Sequence, residues 1–207
     1  MDGVLIDSEP LYEAAFRAYL GSVGRPELGE LFSITLGRRP AEFVPELAEP
    51  LGRSPAEIGD GLDAAAEALM DAELVGMPHA RAAVERVAAG DRRVGLASSS
   101  TRAFIDRALQ TLGIVERFAT IVSGDEVAHG KPDPEIYRLA ASRLQVAPQH
   151  CVAIEDTQTG VSAAASAGMT TIAVPNRYTS ANELGQADAI VSNLDEAAAL
   201  ILTLDTR

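Results

Sequence analysis

Four short stretches of this 207-residue chain carry residue types suited to handling phosphate or a hard cation. The apolar run Val152-Ala153-Ile154 ends in Glu155-Asp156. Two adjacent carboxylates closing an apolar strand are expensive unless a cation sits between them. Mg²⁺ suits such a pair, together with water and a substrate phosphate; the alternative is that Asp156 caps the next helix and Glu155 is exposed. Lys131 stands between Gly130 and Pro132, which restrict the loop, so its ammonium is either aimed at an anion or simply solvated. Ser98-Ser99-Ser100-Thr101 follows another apolar run and precedes a helix. Hydroxyls and free N–H groups there form either an anion site or an ordinary N-cap. The fourth stretch, Met1-Asp2-Gly3-Val4-Leu5-Ile6-Asp7-Ser8-Glu9-Pro10, reads as a turn leading into a helix.

The elements that must position these residues fall into two groups. Residues 9–75 have a helical pattern throughout. Pro10 suits a first helical turn, Pro40 opens another helix, and Ser54-Pro55 caps the longest. From His79 onward, short β-branched or apolar runs at 94–97, 120–122, 152–154, 171–174 and 189–191 alternate with helical patterns at 80–89, 102–112, 134–144, 160–167 and 195–202. Such alternation predicts an α/β fold, a Rossmann-like parallel sheet covered by helices on both faces. Ligands of open α/β sheets bind at the carboxyl ends of the strands, where Ser98, Lys131, Glu155 and Asp156 all fall. The expected domains are a core of residues 1–8 and 76–207 and an inserted all-helical cap of residues 9–75.

Composition narrows the function classes. A formal net charge of −13 without basic runs argues against nucleic acid. No stretch is long and apolar enough for a membrane span, and no leader pattern opens the chain, so the expected location is cytoplasmic. The single cysteine, Cys151, excludes a disulfide framework and fits a reducing compartment. His79, His129 and His150 show no metal-ligand spacing.

Taken in order, Asp2-Gly3-Val4-Leu5-Ile6-Asp7-Ser8, the serine cluster, Gly130-Lys131-Pro132-Asp133-Pro134 and Glu155-Asp156-Thr157-Gln158-Thr159-Gly160 resemble the four motifs of the haloacid dehalogenase-like superfamily. The likeness is to its β-phosphoglucomutase-like and sugar-phosphatase branch. It implies a Mg²⁺-dependent phosphatase acting on a small phosphorylated metabolite such as a sugar phosphate, as a monomer or weak homodimer. It further implies that Asp2 binds Mg²⁺ through its carbonyl and serves as acid and base through its side chain. Ser98, Ser99 and Lys131 would hold the phosphoryl group, and Glu155 and Asp156 would complete the metal shell. Arg38 and Arg39 occupy a cap position where relatives often read the substrate; they either clamp a second anion or form a solvated pair. A phosphate charge 4 Å from a carboxylate is repelled by roughly 4 kcal/mol at an effective dielectric of 20. Metal and Lys131 are therefore both needed.

In the resembled motif an aspartate, the nucleophile, stands two positions before Asp2, at the end of a strand central to the sheet. That strand and that aspartate are expected to be missing from the chain as written, with Met1 an internal methionine. Two alternatives stand beside the phosphatase: a sugar-phosphate mutase, which would retain phosphate on its product, and a non-catalytic remnant or interaction protein.

Overall fold

The computed structural model describes residues 1–204 other than 36, 37 and 39. The chain forms two compact units, one of Met1–Ile6 with Gly76–Arg207 and one of Asp7–Val75.

The second unit is helical. It contains α1 (Glu9–Ser22), a 3₁₀ segment (Pro26–Thr35), α2 (Pro40–Leu51) and α3 (Pro55–Glu73). Pro10 lies in the first turn of α1, where a missing N–H costs nothing. α3 starts in a capping box: Ser54 Oγ accepts from Glu57 N at 3.3 Å, and the Glu57 carboxylate accepts from Ser54 N at 2.9 Å. A cap of this kind contributes about 1 kcal/mol. Phe16, Leu20, Phe32, Phe43, Leu47 and Ile58 form the core of the unit.

Two strands of two residues each, β1 (Ile6–Asp7) and β2 (Val75–Gly76), pair with each other. Neither was expected, because two residues carry no readable period.

The larger unit has the α/β order anticipated from the sequence: α4 (Ala80–Ala88), β3 (Gly95–Ala97), α5 (Arg102–Leu112), β4 (Thr120–Val122), α6 (Glu135–Leu144), β5 (Val152–Glu155), α7 (Gln158–Ala167), β6 (Thr170–Ala173), β7 (Ala189–Ile190) and α8 (Leu194–Thr203). Every pairing among β3 to β7 is parallel. The strands form two separate sheets, β3–β4 and β5–β6–β7. Gly95, Leu96 and Ala97 lie opposite Thr120, Ile121 and Val122, and Val152 to Glu155 lie opposite Thr170 to Ala173. Helices α4 and α8 supply Ala83, Val84, Ala197 and Ala198 to one core cluster, whereas α6 and α7 supply Ile136, Ala140, Ala163 and Ala164 to another. Small alanines let these helices approach the strands closely, which suits a core with few aromatics. α7 begins two residues before the expected start because Thr157 Oγ1 accepts from Gly160 N at 3.1 Å and caps it. Among the described residues no helix is long and apolar enough to cross a membrane.

Candidate active site

Parallel strands carry their side-chain chemistry where they end, and the residues following β3 and β5 meet the N-terminal turn. Gly3 has φ +64°, and the turn is closed by Leu5 N donating to Met1 O at 2.7 Å and Gly3 N donating to Ile6 O at 2.9 Å. This turn presents Asp2 to the loop after β3. Ser100 Oγ donates to Asp2 Oδ2 at 2.8 Å, and Ser98 Oγ reaches the same oxygen at 3.4 Å. Ser98 is buried and accepts from Ser100 N at 3.2 Å, so its hydroxyl also fixes the loop.

The N-terminus of α5 is occupied by the protein itself. Thr101 Oγ1 accepts from Phe104 N, and the Asp125 carboxylate accepts from Arg102 N at 2.8 Å. The ordinary cap is therefore Thr101, while Ser98 and Ser100 turn to Asp2. Ser99 is exposed.

Behind this loop lies a buried charged network. Lys131 Nζ is 2.5 Å from Glu155 Oε1, 3.3 Å from the Tyr137 hydroxyl and 3.4 Å from the Ala97 carbonyl, and it sits 4.9 Å from the centroid of the Tyr137 ring. The Tyr137 hydroxyl also donates to Glu155 Oε1, while Glu155 Oε2 lies 3.3 Å from the Asp156 N–H and 3.5 Å from the Thr157 hydroxyl. Burial alone would push the Glu155 carboxyl up. The Lys131 ammonium, together with the hydrogen bonds from Lys131 and Tyr137, outweighs burial and holds it below its ordinary value. Burial, and then the neighbouring Glu155 charge, raise the Tyr137 phenol well above its ordinary value, so it remains a donor.

Asp156 is buried, and its Oδ2 accepts from Asn176 Nδ2 at 2.8 Å. Asn176 is itself held in a local turn, because its Oδ1 accepts from Tyr178 N at 2.8 Å and from Thr179 N at 3.1 Å. The cap of α7 is Thr157 and not Asp156, which leaves the aspartate for other work. A Cβ added at Gly3 would fall 1.9 Å from Asp156 Oδ2, so only glycine admits that carboxylate against the turn carrying Asp2.

Of the residues expected from sequence, Asp2, Ser98, Lys131, Glu155 and Asp156 all lie in the larger unit, linked through the contacts above. Arg38, in the helical unit, donates to Glu46 Oε1 at 2.5 Å and to the carbonyls of Ile34 at 3.1 Å and Glu42 at 2.8 Å. Its guanidinium thus braces its own unit. Arg39 lies outside the described residues. Sequence reasoning missed Tyr137, Ser100 in its role toward Asp2, and Asn176. Tyr137 stands six residues after Lys131, at the start of α6, a spacing that gains meaning only once the helix is placed.

Among the described residues no group of three or more His, Cys, Asp or Glu side chains is arranged to hold a metal ion. Both oxygens of Glu155 accept from protein donors, among them Lys131 and Tyr137. Asp156 stands against the Asp2 turn, in a cradle that a Cβ at Gly3 would fill. That donor set fits Mg²⁺, which commonly binds one or two carboxylates and completes its shell with water and substrate phosphate.

A family model for haloacid dehalogenase-like hydrolases matches residues 1–168. The chain is 37% identical over 176 residues to a phosphorylated carbohydrates phosphatase of Thermotoga maritima, covering 82% of this chain and 79% of that protein. It is 34% identical over 184 residues to hexitol phosphatase B of Escherichia coli K12, covering 84% and 81% respectively. A Thermotoga maritima crystal structure described as a candidate β-phosphoglucomutase superposes with a TM-score of 0.81 at 33% identity, covering 99% of this chain and 97% of that one.

Proposed function

The chain belongs to the haloacid dehalogenase-like hydrolase family, and from that premise we propose that it is a Mg²⁺-dependent phosphatase acting on a small phosphomonoester such as a sugar phosphate. The observation that carries this reading is the buried Lys131–Glu155 pair behind the strand ends that bear Ser98 and Asp156 and the turn that bears Asp2. The relatives named as phosphatases of phosphorylated carbohydrates and hexitols support the substrate class.

In this reading Ser98 and Lys131 bind the transferring phosphoryl group. Asp156 and the main-chain carbonyl of Asp2 would hold Mg²⁺, and Glu155 contributes by aiming Lys131. The ion would neutralise phosphate charge that the surrounding carboxylates otherwise repel. In the family's motif the nucleophile is an aspartate. Its carboxylate attacks phosphorus, the bond from phosphorus to the leaving oxygen breaks, and that oxygen takes a proton from Asp2. Water then cleaves the aspartyl phosphate, giving up its proton to Asp2 and releasing inorganic phosphate. The helical unit Asp7–Val75 takes the role of the cap that selects the leaving group.

The test is phosphate release from a panel of sugar and polyol phosphates by a chain carrying that aspartate, with Mg²⁺ and with EDTA. Release in Mg²⁺ alone is expected. Phosphate retained on an isomerised product would favour the mutase reading, which the candidate β-phosphoglucomutase neighbour supports. No turnover of either kind would favour a non-catalytic interaction protein.

A further inference from the structure

Lys131 is the only lysine in the sequence. Its long stem is flexible, so an ammonium held in one place needs a fixed main chain beneath it. Glu155, Tyr137 and the Ala97 carbonyl hold the ammonium end. The main chain leading into Lys131 is held from elsewhere, by Glu135, the first residue of α6.

An acidic residue opening a helix is ordinary, since it complements the helix dipole. The Glu135 carboxylate goes further and leaves its own helix for the loop before it. Oε1 accepts from Ala128 N at 3.1 Å and Oε2 from His129 N at 2.9 Å, with His129 Nδ1 3.3 Å from the same Oε2. Two successive main-chain N–H groups thus converge on one carboxylate, each in a charge-assisted hydrogen bond. The His129 N–H first, and then that of Ala128, hold the Glu135 carboxyl below its ordinary value, so it stays ionised. The remainder of the loop is tied to the same helix start. Asp133 N donates to Gly130 O at 2.9 Å, and Asp133 Oδ1 accepts from Glu135 N at 2.9 Å.

Glu135 and Tyr137 stand two residues apart and so point to opposite sides of α6. Between them Ile136 is buried in the core cluster that also holds Ala140 and Ala141, which anchors this turn of the helix. One anchored turn therefore grips the lysine loop twice, at the main chain of residues 128–129 through Glu135 and at the ammonium through the Tyr137 hydroxyl. We propose that Glu135 is a positioning residue, which gathers the N–H groups of Ala128 and His129 and so fixes the loop that aims Lys131. Holding the ammonium in place before a phosphoryl group arrives spares the cost of ordering it then. That purpose rests on the phosphatase reading; the grip on the loop does not.

Because the chain has a single lysine, ¹³C-lysine labelling gives one ε-methylene signal, and the Tyr137 ring, 4.9 Å from Nζ, shifts it away from that of a free lysine. Glu135→Ala is expected to move the signal toward the free-lysine position. It should also speed acylation of Lys131 by acetic anhydride, read by mass spectrometry of the peptide that carries it, by about tenfold. Glu135→Gln keeps an acceptor for one of the two N–H groups and should fall between the parent and Glu135→Ala on both readouts. Glu85→Ala removes an exposed carboxylate of α4 that pairs with Arg81, and it should change neither. A parental lysine signal and acylation rate in Glu135→Ala, even with a lowered melting midpoint, would overturn the inference and leave Glu135 a helix-start residue only. Should Glu135→Ala not fold, Glu135→Gln decides: a displaced signal with faster acylation supports the inference, and parental values overturn it. Neither readout uses turnover, so a chain that released no phosphate would count against the phosphatase reading and not against the grip of Glu135 on the loop.

Discussion

Lys131 Nζ lies 2.5 Å from Glu155 Oε1, with side chains only 11% and 7% exposed. The two charges are shielded from water and depend on each other. Removing one partner of a buried pair leaves an uncompensated charge and typically costs about 3–5 kcal/mol. Glu155→Gln and Lys131→Met are each expected to lose stability in that range in urea unfolding. The double variant should recover much of the loss, since two neutral groups need no partner. A double variant as unstable as the sum of the singles would mean that the pair is not coupled.

The same network includes the Tyr137 hydroxyl, which donates to Glu155 and lies 3.3 Å from Lys131 Nζ. Tyr137→Phe keeps the ring under the ammonium and removes only the donor. A stability loss of about 1–3 kcal/mol is expected. The loss should largely vanish in a Glu155→Gln background, where the acceptor carries no charge. A loss unchanged in that background would place the role of Tyr137 in packing instead.

Acid stability provides a separate check away from the site. Glu126 is hydrogen-bonded by Arg143 at 2.6 Å and by Ser123 N at 2.9 Å. The Arg143 hydrogen bond first, and then the Ser123 N–H, lower its pKa from 4.5 to about 2. A group with a depressed folded-state value stabilises above its unfolded value and loses that contribution as pH falls. The contribution of Glu126 is therefore full above about pH 4.5 and fades toward pH 2. Stability measured from pH 6 to pH 2 should fall less steeply in Glu126→Gln than in the parent. Parallel curves would show that this pair does not set the acid limb.

The alternating strands and helices of the larger unit were legible because strands buried on both faces must be continuous apolar runs, as in Val152-Ala153-Ile154. Charged residues at strand ends were legible for the same reason, since Glu155 and Asp156 interrupt such a run. The partners of those charges were not. Asn176 meets Asp156 and Tyr137 meets Glu155 only because separate elements converge, and an amide or a phenol in a loop or helix has no local pattern to betray it. The pairing of Glu155 Oε1 with both Lys131 and Tyr137 was hidden likewise, because it depends on where α6 places the phenol.

Gly3 tests whether the turn carrying Asp2 must admit Asp156. Its φ of +64° disfavours a side chain by about 1–2 kcal/mol. The added Cβ would in addition fall 1.9 Å from Asp156 Oδ2. Gly3→Ala is thus expected to destabilise by more than the backbone term alone. In an Asp156→Ala background, where the colliding oxygen is gone, the cost should drop to the backbone term. An equal cost in both backgrounds would show that the carboxylate does not need this space.

Asn176 decides whether Asp156 is held in place for a cation or merely buried. Its amide donates to Asp156 Oδ2 at 2.8 Å while its Oδ1 gathers Tyr178 N and Thr179 N, so it links a fixed turn to one carboxylate oxygen. Groups that orient a metal-binding carboxylate typically contribute about 10- to 100-fold to metal affinity. Asn176→Ala is accordingly expected to weaken Mg²⁺ binding by that factor, read by titration calorimetry or by the Mg²⁺-dependent rise in melting temperature. Asn176→Asp should weaken it less: the added negative charge attracts the ion even as it repels Asp156, and Oδ1 can still accept from the turn. Identical Mg²⁺ affinity in the parent and both variants would mean that Asn176 serves the turn alone and that Asp156 needs no help to face the ion.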